Sequence, residues 1–550
     1  MPFIRRAPAA RRRRWIGCDG LFSDEFAPDS AWIREQAVVR LPPLHEATTF
    51  VVRGEFRPHP DARGLESGPI GANFSVNGRR SAAFDSLQPG PFSMRFTATG
   101  RNARRGPVLR VRLRGVGLTN FLAWLGRIAA RWQGAERLQR FRQQNKNRQL
   151  RLTRIETATG EIVFDFSNRH APFSIEFARR RLHLGLNIAG FLTADLGIGE
   201  SARCMVRAAD AVQLPTALID LKLPCKNRRG DLTCLARLQE NNPHPVNVVH
   251  LDPPAAHVLD YHHPALRHGK YNIGYWAWEL PEFPDAWLRC CDYFDEIWCP
   301  SDFTRAAIAL KAPLPVHTMP HAISFGRPAE PAAVLRARFG LPADKFLFLF
   351  IYDLNSYSLR KNPRAVLAAF RASALAAQGA ALVIKTHSIA GNETELAALR
   401  ADIADLPGTT LLTDTFSRAD IYALEAACDC FISLHRSEGF GLALAECMFL
   451  GKPVIATDWS ATQEFLNGTN GCPVRASPVK LEQNHGPYAK GQTWAEPDVA
   501  HAAWWMQKLV AEPALGAQLG AAARATIEDK FAPEKIGIHY RRRLEAIACW

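Results

Sequence analysis

Residues 426–457 decide the fold, and they read AACDCFISLHRSEGFGLALAECMFLGKPVIAT. The apolar run at 430–434 predicts a buried strand, the Gly-Phe-Gly segment at 439–441 predicts a tight turn, and residues 442–450 predict a helix. A second apolar run at 453–457 predicts the next strand. Strands that alternate with single helices form parallel sheets, so this stretch is typical of an open α/β domain. In such a domain a ligand binds beside the loops that follow the strands.

The same alternation extends through most of the chain in two sets. The first set has predicted strands at 182–192, 216–221, 246–251, 271–276, 295–299 and 316–319. The second set has strands at 346–352, 381–385, 409–412, 430–434 and 453–457, and helices at 363–377, 393–404, 418–427 and 442–450. A Pro-rich break at 324–342 separates the sets. The sequence therefore predicts two α/β domains, at 181–325 and 340–530, that share a cleft, and a helix at 531–550 that we expect to cross back to the first domain.

Two glutamates flank the start of the predicted helix at 442–450. Glu438 precedes the glycines and Glu446 lies inside the helix. Glycines let the backbone approach a ligand closely, and the free amides of a helix N-terminus favour an anion. Carboxylates placed before and within the helix can reach different parts of one extended ligand. The alternative is a glycine-rich turn with glutamates on the surface.

This stretch resembles the E-x7-E motif of retaining GT-B glycosyltransferases of family 4, and its flanks at 426–429 and 450–457 match as well. The resemblance covers roughly residues 181–550. It implies a GT-B fold of two Rossmann-like domains. It also implies transfer of a hexose from a nucleotide-diphospho-sugar to a glycan or lipid-linked glycan, with retention of anomeric configuration, in bacterial surface polysaccharide or lipopolysaccharide biosynthesis.

The resemblance also implies roles for individual residues. Glu438 would lie at the transferred sugar, and Glu446 would accept hydrogen bonds from the ribose hydroxyls. The backbone amides that would hold sugar hydroxyls and phosphate belong to Gly439, Phe440, Gly441 and Leu442. Because no D-x-D triplet occurs in the sequence, we expect a metal-independent site with no cofactor besides the donor substrate.

Residues 352–363, YDLNSYSLRKNP, link a predicted strand to a helix and supply cations. A departing diphosphate gains negative charge, so fixed cations there stabilise the transition state. By resemblance Lys361 is the diphosphate lysine, whereas the arginine that the family places five residues earlier is Ser356 here. Arg360 is the candidate substitute, although adjacent residues need not point the same way. A basic helix cap is the alternative for both.

Two further loops of the first α/β domain match the family. Gly197 and Gly199 follow its first strand and resemble the glycine-rich loop whose amides face the diphosphate; a plain tight turn is the alternative. His250 ends the strand at 246–251 and matches a histidine beside the donor sugar. Asp252 takes that place equally well in an ungapped comparison, and a purely structural histidine is the third reading.

Aromatic residues at another strand end suit an acceptor sugar. Trp276, Trp278 and Glu279 combine rings that stack on sugars with a carboxylate, and the alternative is that the tryptophans belong to the core. Lys385 ends its strand and either approaches the donor or is solvated.

The first third of the chain differs in charge and in pattern. Residues 1–180 hold 32 of the 68 Lys and Arg but only 15 of the 53 Asp and Glu, so the remainder is near neutral. A basic tail at 1–14 precedes short strand-like runs that predict a mainly antiparallel β-sandwich-like domain at 15–168, with an amphipathic helix at 119–147. Docking on an anionic membrane, binding a polysaccharide and bracing the catalytic domains are the three roles considered. We expect no nucleic-acid partner, because no recognised binding module is present.

Composition excludes several classes of protein. Hydrophobic residues make up 47% and charged residues 22%, which excludes a disordered chain. No apolar run reaches the roughly 18–20 residues of a membrane span, and no secretory signal opens the chain. The cysteines lack C-x-x-C spacing and predict reduced thiols, so we expect a cytoplasmic protein, peripheral on the inner face of the membrane where residues 1–180 dock. The competing hypotheses are a non-catalytic glycan-binding protein that uses the N-terminal β-domain and a sugar-nucleotide epimerase on the same fold.

Overall fold

A computed structural model gives the fold of the chain. It describes residues 17–21, 31–41, 47–56, 70–84, 90–99, 106–115, 128, 150–166, 174, 184–267 and 270–548. The predicted tail at 1–14 and, apart from residue 128, the predicted helix at 119–147 lie outside these residues. The chain divides into two compact units, one of residues 1–184, 267–271 and 542–550, and one of residues 185–266 and 272–541.

The N-terminal unit contains nine described strands. They are β1 (Gly17–Leu21), β2 (Ala31–Arg40), β3 (Thr48–Phe56), β4 (Ile70–Val76), β5 (Arg79–Phe84), β6 (Gly90–Ala98), β7 (Val108–Gly115), β8 (Leu150–Thr157) and β9 (Ile162–Asp165). The order is β5-β4-β7-β2-β8-β3-β6, with β1 beside β2 and β9 beside β8, and the pairs are antiparallel. The predicted antiparallel β-domain is therefore confirmed.

The sheet of the N-terminal unit folds over on itself at β2. One end of β2 pairs with β8 through Ala31, and its other end pairs with β7 through Arg40. Phe74 of β4 and Phe92 of β6 come from opposite ends of the strand order, yet their ring centroids are 5.7 Å apart. A strand that belongs to two sheets in this way is a common corner of a sandwich.

The first half of the second unit is a parallel sheet with helices. Its strands are β10 (Leu186–Gly190), β11 (Thr216–Asp220), β12 (Val246–His250), β13 (Tyr271–Tyr275), β14 (Glu296–Cys299) and β15 (Val316–Thr318). Its helices are α1 (Gly197–Ala211), α2 (Ala256–His262) and α3 (Asp302–Ala309). The strand order β11-β10-β12-β13-β14-β15 is that of a Rossmann-like domain, in which β10 lies inside the sheet and is followed by α1.

The second half repeats this architecture. Its strands are β16 (Phe346–Asp353), β17 (Ala380–His387), β18 (Thr409–Leu412), β19 (Cys430–Ser433), β20 (Val454–Thr457) and β21 (Cys472–Val474), in the order β18-β17-β16-β19-β20-β21. Its helices are α4 (Ala332–Arg338), α5 (Ser358–Lys361), α6 (Pro363–Ser373), α7 (Glu393–Ile403), α8 (Arg418–Ala427) and α9 (Leu442–Phe449). The sheet is parallel throughout. Two parallel six-stranded sheets confirm the predicted GT-B fold class.

Short 3-10 turns complete the second unit. They span Leu235–Arg237, Pro253–Ala255, Asp285–Tyr293, Leu354–Ser356, Leu375–Gln378 and Ser460–Glu464.

A hairpin and three helices follow the last parallel strand. The hairpin consists of β22 (Ala476–Lys480) and β23 (Thr493–Pro497), and the helices are α10 (Val499–Ala511), α11 (Pro513–Lys530) and α12 (Pro533–Ala548). Helix α12 lies against the first Rossmann-like domain. Tyr540 stacks on Trp298 of β14 with ring centroids 5.5 Å apart, and Arg541 donates to the carbonyl oxygen of Val212 after α1.

Two general properties concern the part of the chain that the structure describes. None of its helices is both long enough and apolar enough to cross a membrane. The ten cysteines from Cys204 to Cys472 are all unpaired, including the adjacent Cys290 and Cys291.

Candidate active site

A cavity of about 340 Å³ lies between the two parallel sheets, which is within the usual size of a small-molecule site. The first Rossmann-like domain contributes Gly197, Glu200, Arg203, Asp252 and His321 to its lining. The second contributes Arg360, Lys361, Arg418, residues 438–444 and Glu446. The segments that the sequence singled out therefore meet at one cleft, because each follows the carboxyl end of a parallel strand.

Glu438 lies between two cations in this cleft. The Nζ atom of Lys361 is 2.5 Å from Oε1 of Glu438, and Nη1 of Arg360 is 3.2 Å from Oε2. Burial alone would raise the pKa of Glu438, but Lys361 and Arg360 outweigh it and lower the pKa to about 2. The adjacent Arg360 and Lys361 thus point to the same carboxylate, which adjacency in sequence did not require.

Arg360 and Lys361 differ in the contacts that fix their side chains. Arg360 Nη1 also donates to the carbonyl oxygen of Ser437 at 2.9 Å, and only 5% of its side chain is exposed. The side chain of Lys361 is 20% exposed, and among the described residues its Nζ forms an ion pair with Glu438 only. Lys361 is therefore the cation that can turn toward a ligand in the cleft.

The turn before α9 brings backbone amides to the cleft. Gly441 is the N-cap of α9 and has a φ of 97°, a conformation that favours glycine. The ring of the buried Phe440 packs on His321, with centroids 4.8 Å apart, and this contact fixes the turn against the first Rossmann-like domain. Residues 439–442 all line the cavity, so the N-terminus of α9 faces it.

Glu446 lies at the other end of the motif in a different environment. It forms an ion pair with Arg418, the first residue of α8, which begins at the capping box of Ser417 and Asp420. Arg418 Nε is also 3.6 Å from Oε2 of Glu200 on α1, so this guanidinium links the two Rossmann-like domains. Burial raises the pKa of Glu446, although Arg418 opposes the shift.

Glu425 also lies at the Glu446 end of the cleft, although the sequence did not point to it. The residue is 1% exposed and lines the cavity, and neither of its carboxyl oxygens has a hydrogen-bond partner among the described residues. Burial and the neighbouring Glu446 raise its pKa well above the usual range, so the carboxyl holds its proton.

The glycine-rich loop of the first domain opens α1. Gly197 lines the cavity, whereas Gly199 does not. A Cβ at Gly199 would lie 2.5 Å from the carbonyl oxygen of Phe191, so this position needs glycine for close packing. The amides of the α1 N-terminus, rather than Gly199 itself, face the cleft.

His250 does not lie where the sequence analysis placed it. Its ring is completely buried, 2.9 Å from Ser201 Oγ through Nδ1, and stacks on Tyr275 at 4.4 Å. Burial lowers its pKa well below the usual value, so it is a neutral structural histidine. Asp252, an exposed residue, lines the cavity instead, and desolvation in the cleft together with Glu279 raises its pKa to about 6.

The two tryptophans predicted for acceptor binding belong to the core. Trp276 stacks on Phe283 at 5.7 Å and Trp278 contacts Trp287 at 5.1 Å, and both indoles are 1% exposed or less. They have no free face on which a sugar could stack, because the aromatic cluster of this loop encloses them. Glu279 differs, since 21% of its side chain is exposed.

Lys385 is a buried cation at the edge of the same cavity. Its Nζ donates to the carbonyl oxygen of Asp414 at 2.7 Å and lies 4.7 Å from the ring centroid of Phe416. Burial lowers its pKa to about 8. The solvated strand end that the sequence allowed is therefore wrong. In the described part of the chain, no group of three or more His, Cys, Asp and Glu is arranged to hold a metal ion.

Comparisons with known proteins give a family for part of the chain. The family model "Glycosyl transferases group 1" matches residues 333–471, a range that contains Lys361, Glu438 and Glu446. The chain is also similar to the human alpha-1,3/1,6-mannosyltransferase ALG2, with 26% identity over 131 residues. That match covers 24% of this chain and 27% of the human protein, so the chain spans about a quarter of this relative.

Solved structures with similar coordinates cover more of the chain. Anabaena HepE in complex with UDP and glucose is 16% identical, with a TM-score of 0.48 over 66% of this chain and 100% of that one. Sucrose-phosphate synthase from Thermosynechococcus elongatus is 14% identical, with a TM-score of 0.49 over 66% of this chain and 99% of that one. The family match, taken with the two parallel sheets of this structure, supports a GT-B glycosyltransferase.

Proposed function

We propose that the protein transfers a hexose from a nucleotide-diphospho-sugar to a hydroxyl of a glycan or lipid-linked glycan, with retention at the anomeric carbon. The observation that carries the proposal is one cleft that presents Lys361, the N-terminus of α9 and Glu438 at one end and Glu446 at the other. This arrangement provides cationic and amide groups for a diphosphate and separate carboxylates for the sugar and the ribose. The group 1 family match over 333–471 supports the same reaction class.

Each residue of the cleft has its own role in the proposed reaction. Lys361 and the amides at 439–442 would stabilise the charge that develops on the departing diphosphate. Glu438 would orient the sugar hydroxyls, and the leaving phosphate oxygen would take the acceptor proton on the same face. Asp252 and Glu279 are the carboxylates of the first domain that we assign to the acceptor side. Such chemistry fits bacterial surface polysaccharide assembly.

The test is a screen of UDP-, GDP- and ADP-hexoses for release of the nucleoside diphosphate, followed by NMR of the transferred sugar. We expect turnover of at least one donor and a product with the donor's anomeric configuration. Absence of turnover with every donor would favour a non-catalytic glycan-binding protein. Conversion of the sugar without release of the diphosphate would indicate an epimerase.

We further propose that the N-terminal unit docks on an anionic membrane surface at the inner face of the membrane. Four arginines on strands β5 and β7, which lie on either side of β4, are exposed and form no salt bridge within the described residues: Arg79, Arg80, Arg110 and Arg112. On β3 and β8, by contrast, Arg53 pairs with Glu156 at 2.7 Å and Arg154 with Asp165 at 3.4 Å. Unpaired arginines retain their full attraction to anionic lipid, about 1 kcal/mol each near the surface.

Flotation with phosphatidylglycerol vesicles tests this docking. We expect binding that is lost at high salt, and a loss of about tenfold or more in the double variant Arg110→Gln/Arg112→Gln. The matched control Arg53→Gln/Arg154→Gln removes two paired arginines and should bind nearly as the unmodified protein does. Equal loss in both variants would contradict a role for this face.

A further inference from the structure

The hairpin of β22 and β23 brings a tyrosine from the second Rossmann-like domain onto a loop of the first. Tyr488 lies in the segment that joins the two strands, and its hydroxyl donates to Oε2 of Glu279 at 3.1 Å. Its ring packs between Trp278 and Tyr357, with centroid distances of 5.6 and 5.4 Å. Tyr488 is 2% exposed, so this contact is a buried one.

Arg436 anchors the same hairpin beside the E-x7-E motif. Its guanidinium pairs with Glu496 of β23 at 2.6 Å and lies 5.3 Å from the ring centroid of Trp494. The amide of Ala495 donates to the carbonyl oxygen of Arg436 at 3.0 Å. The hairpin is thus fixed two residues before Glu438, and it is not a free surface loop.

Glu279 connects Tyr488 to the cleft. Its Oε1 lies 3.7 Å from Nη2 of Arg360, whose Nη1 is the atom 3.2 Å from Glu438 Oε2. Tyr488, Glu279, Arg360 and Glu438 therefore form one continuous chain of polar contacts. These contacts lead from the hairpin to the carboxylate that we place at the transferred sugar.

This chain of contacts matters because Lys361, one of the two cations beside Glu438, is also the cation that can turn toward a ligand. When Lys361 turns to a diphosphate, a buried carboxylate without a remaining partner would be costly. Arg360 removes that cost only if it stays in place. Its contacts with Glu279 and the carbonyl oxygen of Ser437 keep it there.

We propose that Tyr488 and Glu279 are positioning residues that hold Arg360 on Glu438, so that Lys361 can leave Glu438 and bind the diphosphate of the donor. Arg360 is then the permanent counter-ion of Glu438 and not a second diphosphate ligand. This inference rests on the proposed function, since it names how the same cleft accepts a nucleoside diphosphate.

The experiment compares nucleoside diphosphates with the matching monophosphates on the full-length protein. Dissociation constants for UDP and UMP, GDP and GMP, and ADP and AMP are measured by calorimetry for the unmodified protein, Tyr488→Phe, Glu279→Gln and the double variant. We expect Tyr488→Phe to weaken binding of the preferred diphosphate by about threefold to tenfold, the usual effect of one buried hydrogen bond. Binding of the monophosphate should change by less than twofold, because it lacks the terminal phosphate that competes for Lys361.

The controls separate positioning from folding. Tyr540→Phe also removes a buried hydroxyl, one whose nearest acceptor is Pro320 O at 3.5 Å, and should leave both constants unchanged. The double variant should be no weaker than Glu279→Gln, because both residues act through one contact chain. Equal weakening of diphosphate and monophosphate, or no weakening of either, would overturn the inference. Failure of the unmodified protein to bind any of the three diphosphates would instead overturn the proposed function.

Discussion

The two glutamates of one motif, Glu438 and Glu446, have opposite electrostatic environments. Both are buried, and burial alone would raise the pKa of each. Glu438 has Lys361 on one oxygen and Arg360 on the other, and its pKa falls to about 2. Glu446 has Arg418, which also faces Glu200, and its pKa is raised.

The difference teaches that the spacing of a motif places its residues, whereas their neighbours decide their charge. At the Glu438 end two cations surround one carboxylate, so that end stays ionised at any physiological pH. At the Glu446 end Arg418 is shared, and the unpartnered Glu425 adds a third carboxyl group. The Glu446 end therefore holds a proton that the Glu438 end does not.

The largest effect should come from removing the mobile cation of the Glu438 end. We expect Lys361→Met to lower kcat for donor turnover by on the order of 100-fold to 1,000-fold, because charge on the leaving diphosphate would lose the cation that we assign to it. The rate of nucleoside diphosphate release measures this. Lys480→Met removes an exposed lysine of β22 as the control, and a comparable loss there would contradict the assignment.

Substitutions of the two glutamates should change different quantities, kcat in one case and nucleotide affinity in the other. Glu438→Gln should lower kcat by about 100-fold without weakening nucleotide binding, since we place its carboxylate at the reacting sugar. Glu446→Gln should weaken nucleotide binding by about tenfold, because hydrogen bonds to ribose lose a charged acceptor. Steady-state kinetics and calorimetry distinguish these outcomes, and identical losses in both variants would remove the contrast between the two ends.

The raised pKa of Glu425 makes the stability of the protein depend on pH at the Glu446 end. Its folded pKa is raised above the ordinary 4.5, so the folded state binds more protons than the unfolded state at and above that pH. The contribution of Glu425 to stability is therefore greatest at low pH and falls as the pH rises from about 4.5 toward the folded pKa. Glu425→Gln should flatten this slope in melting temperature measured against pH. An unchanged slope would show that Glu425 is ionised.

The smallest expected effect concerns Asp252. Desolvation in the cleft and Glu279 raise its pKa to about 6, so its carboxyl titrates around that pH. The turnover rate should show an inflection of about twofold near pH 6, and Asp252→Asn should lack it. His250→Gln is the comparison, since a neutral buried histidine contributes no such inflection.

Much of this molecule follows from local sequence patterns. Helix α8 spans the predicted 418–427, and strand β18 spans the predicted 409–412. Strand–helix alternation is local, so two parallel sheets could be predicted together with the loops that carry Glu438 and Lys361. The alternation of Arg110 and Arg112 with buried residues in β7 is local in the same way.

The remaining features depend on contacts that no local pattern contains. The hairpin at 476–497 lacks a clear period, and Tyr488 acquires its role from Glu279 in the other domain. The sequence predicts only that Arg418 begins a helix, because its partners Glu200 and Glu446 come from distant segments. His250 and Asp252 could be told apart only by which of them the end of β12 turns into the cleft.

Donor turnover by the unmodified protein beside Lys361→Met and Glu438→Gln tests the central claim most directly. Each is incubated with the hexose donor that the screen selects and with an oligosaccharide acceptor, and release of the nucleoside diphosphate is measured together with the anomeric configuration of the product. The account predicts release with retained configuration in the unmodified protein and loss of at least about 100-fold in both variants. Full activity in both variants would contradict it, and so would an inverted product.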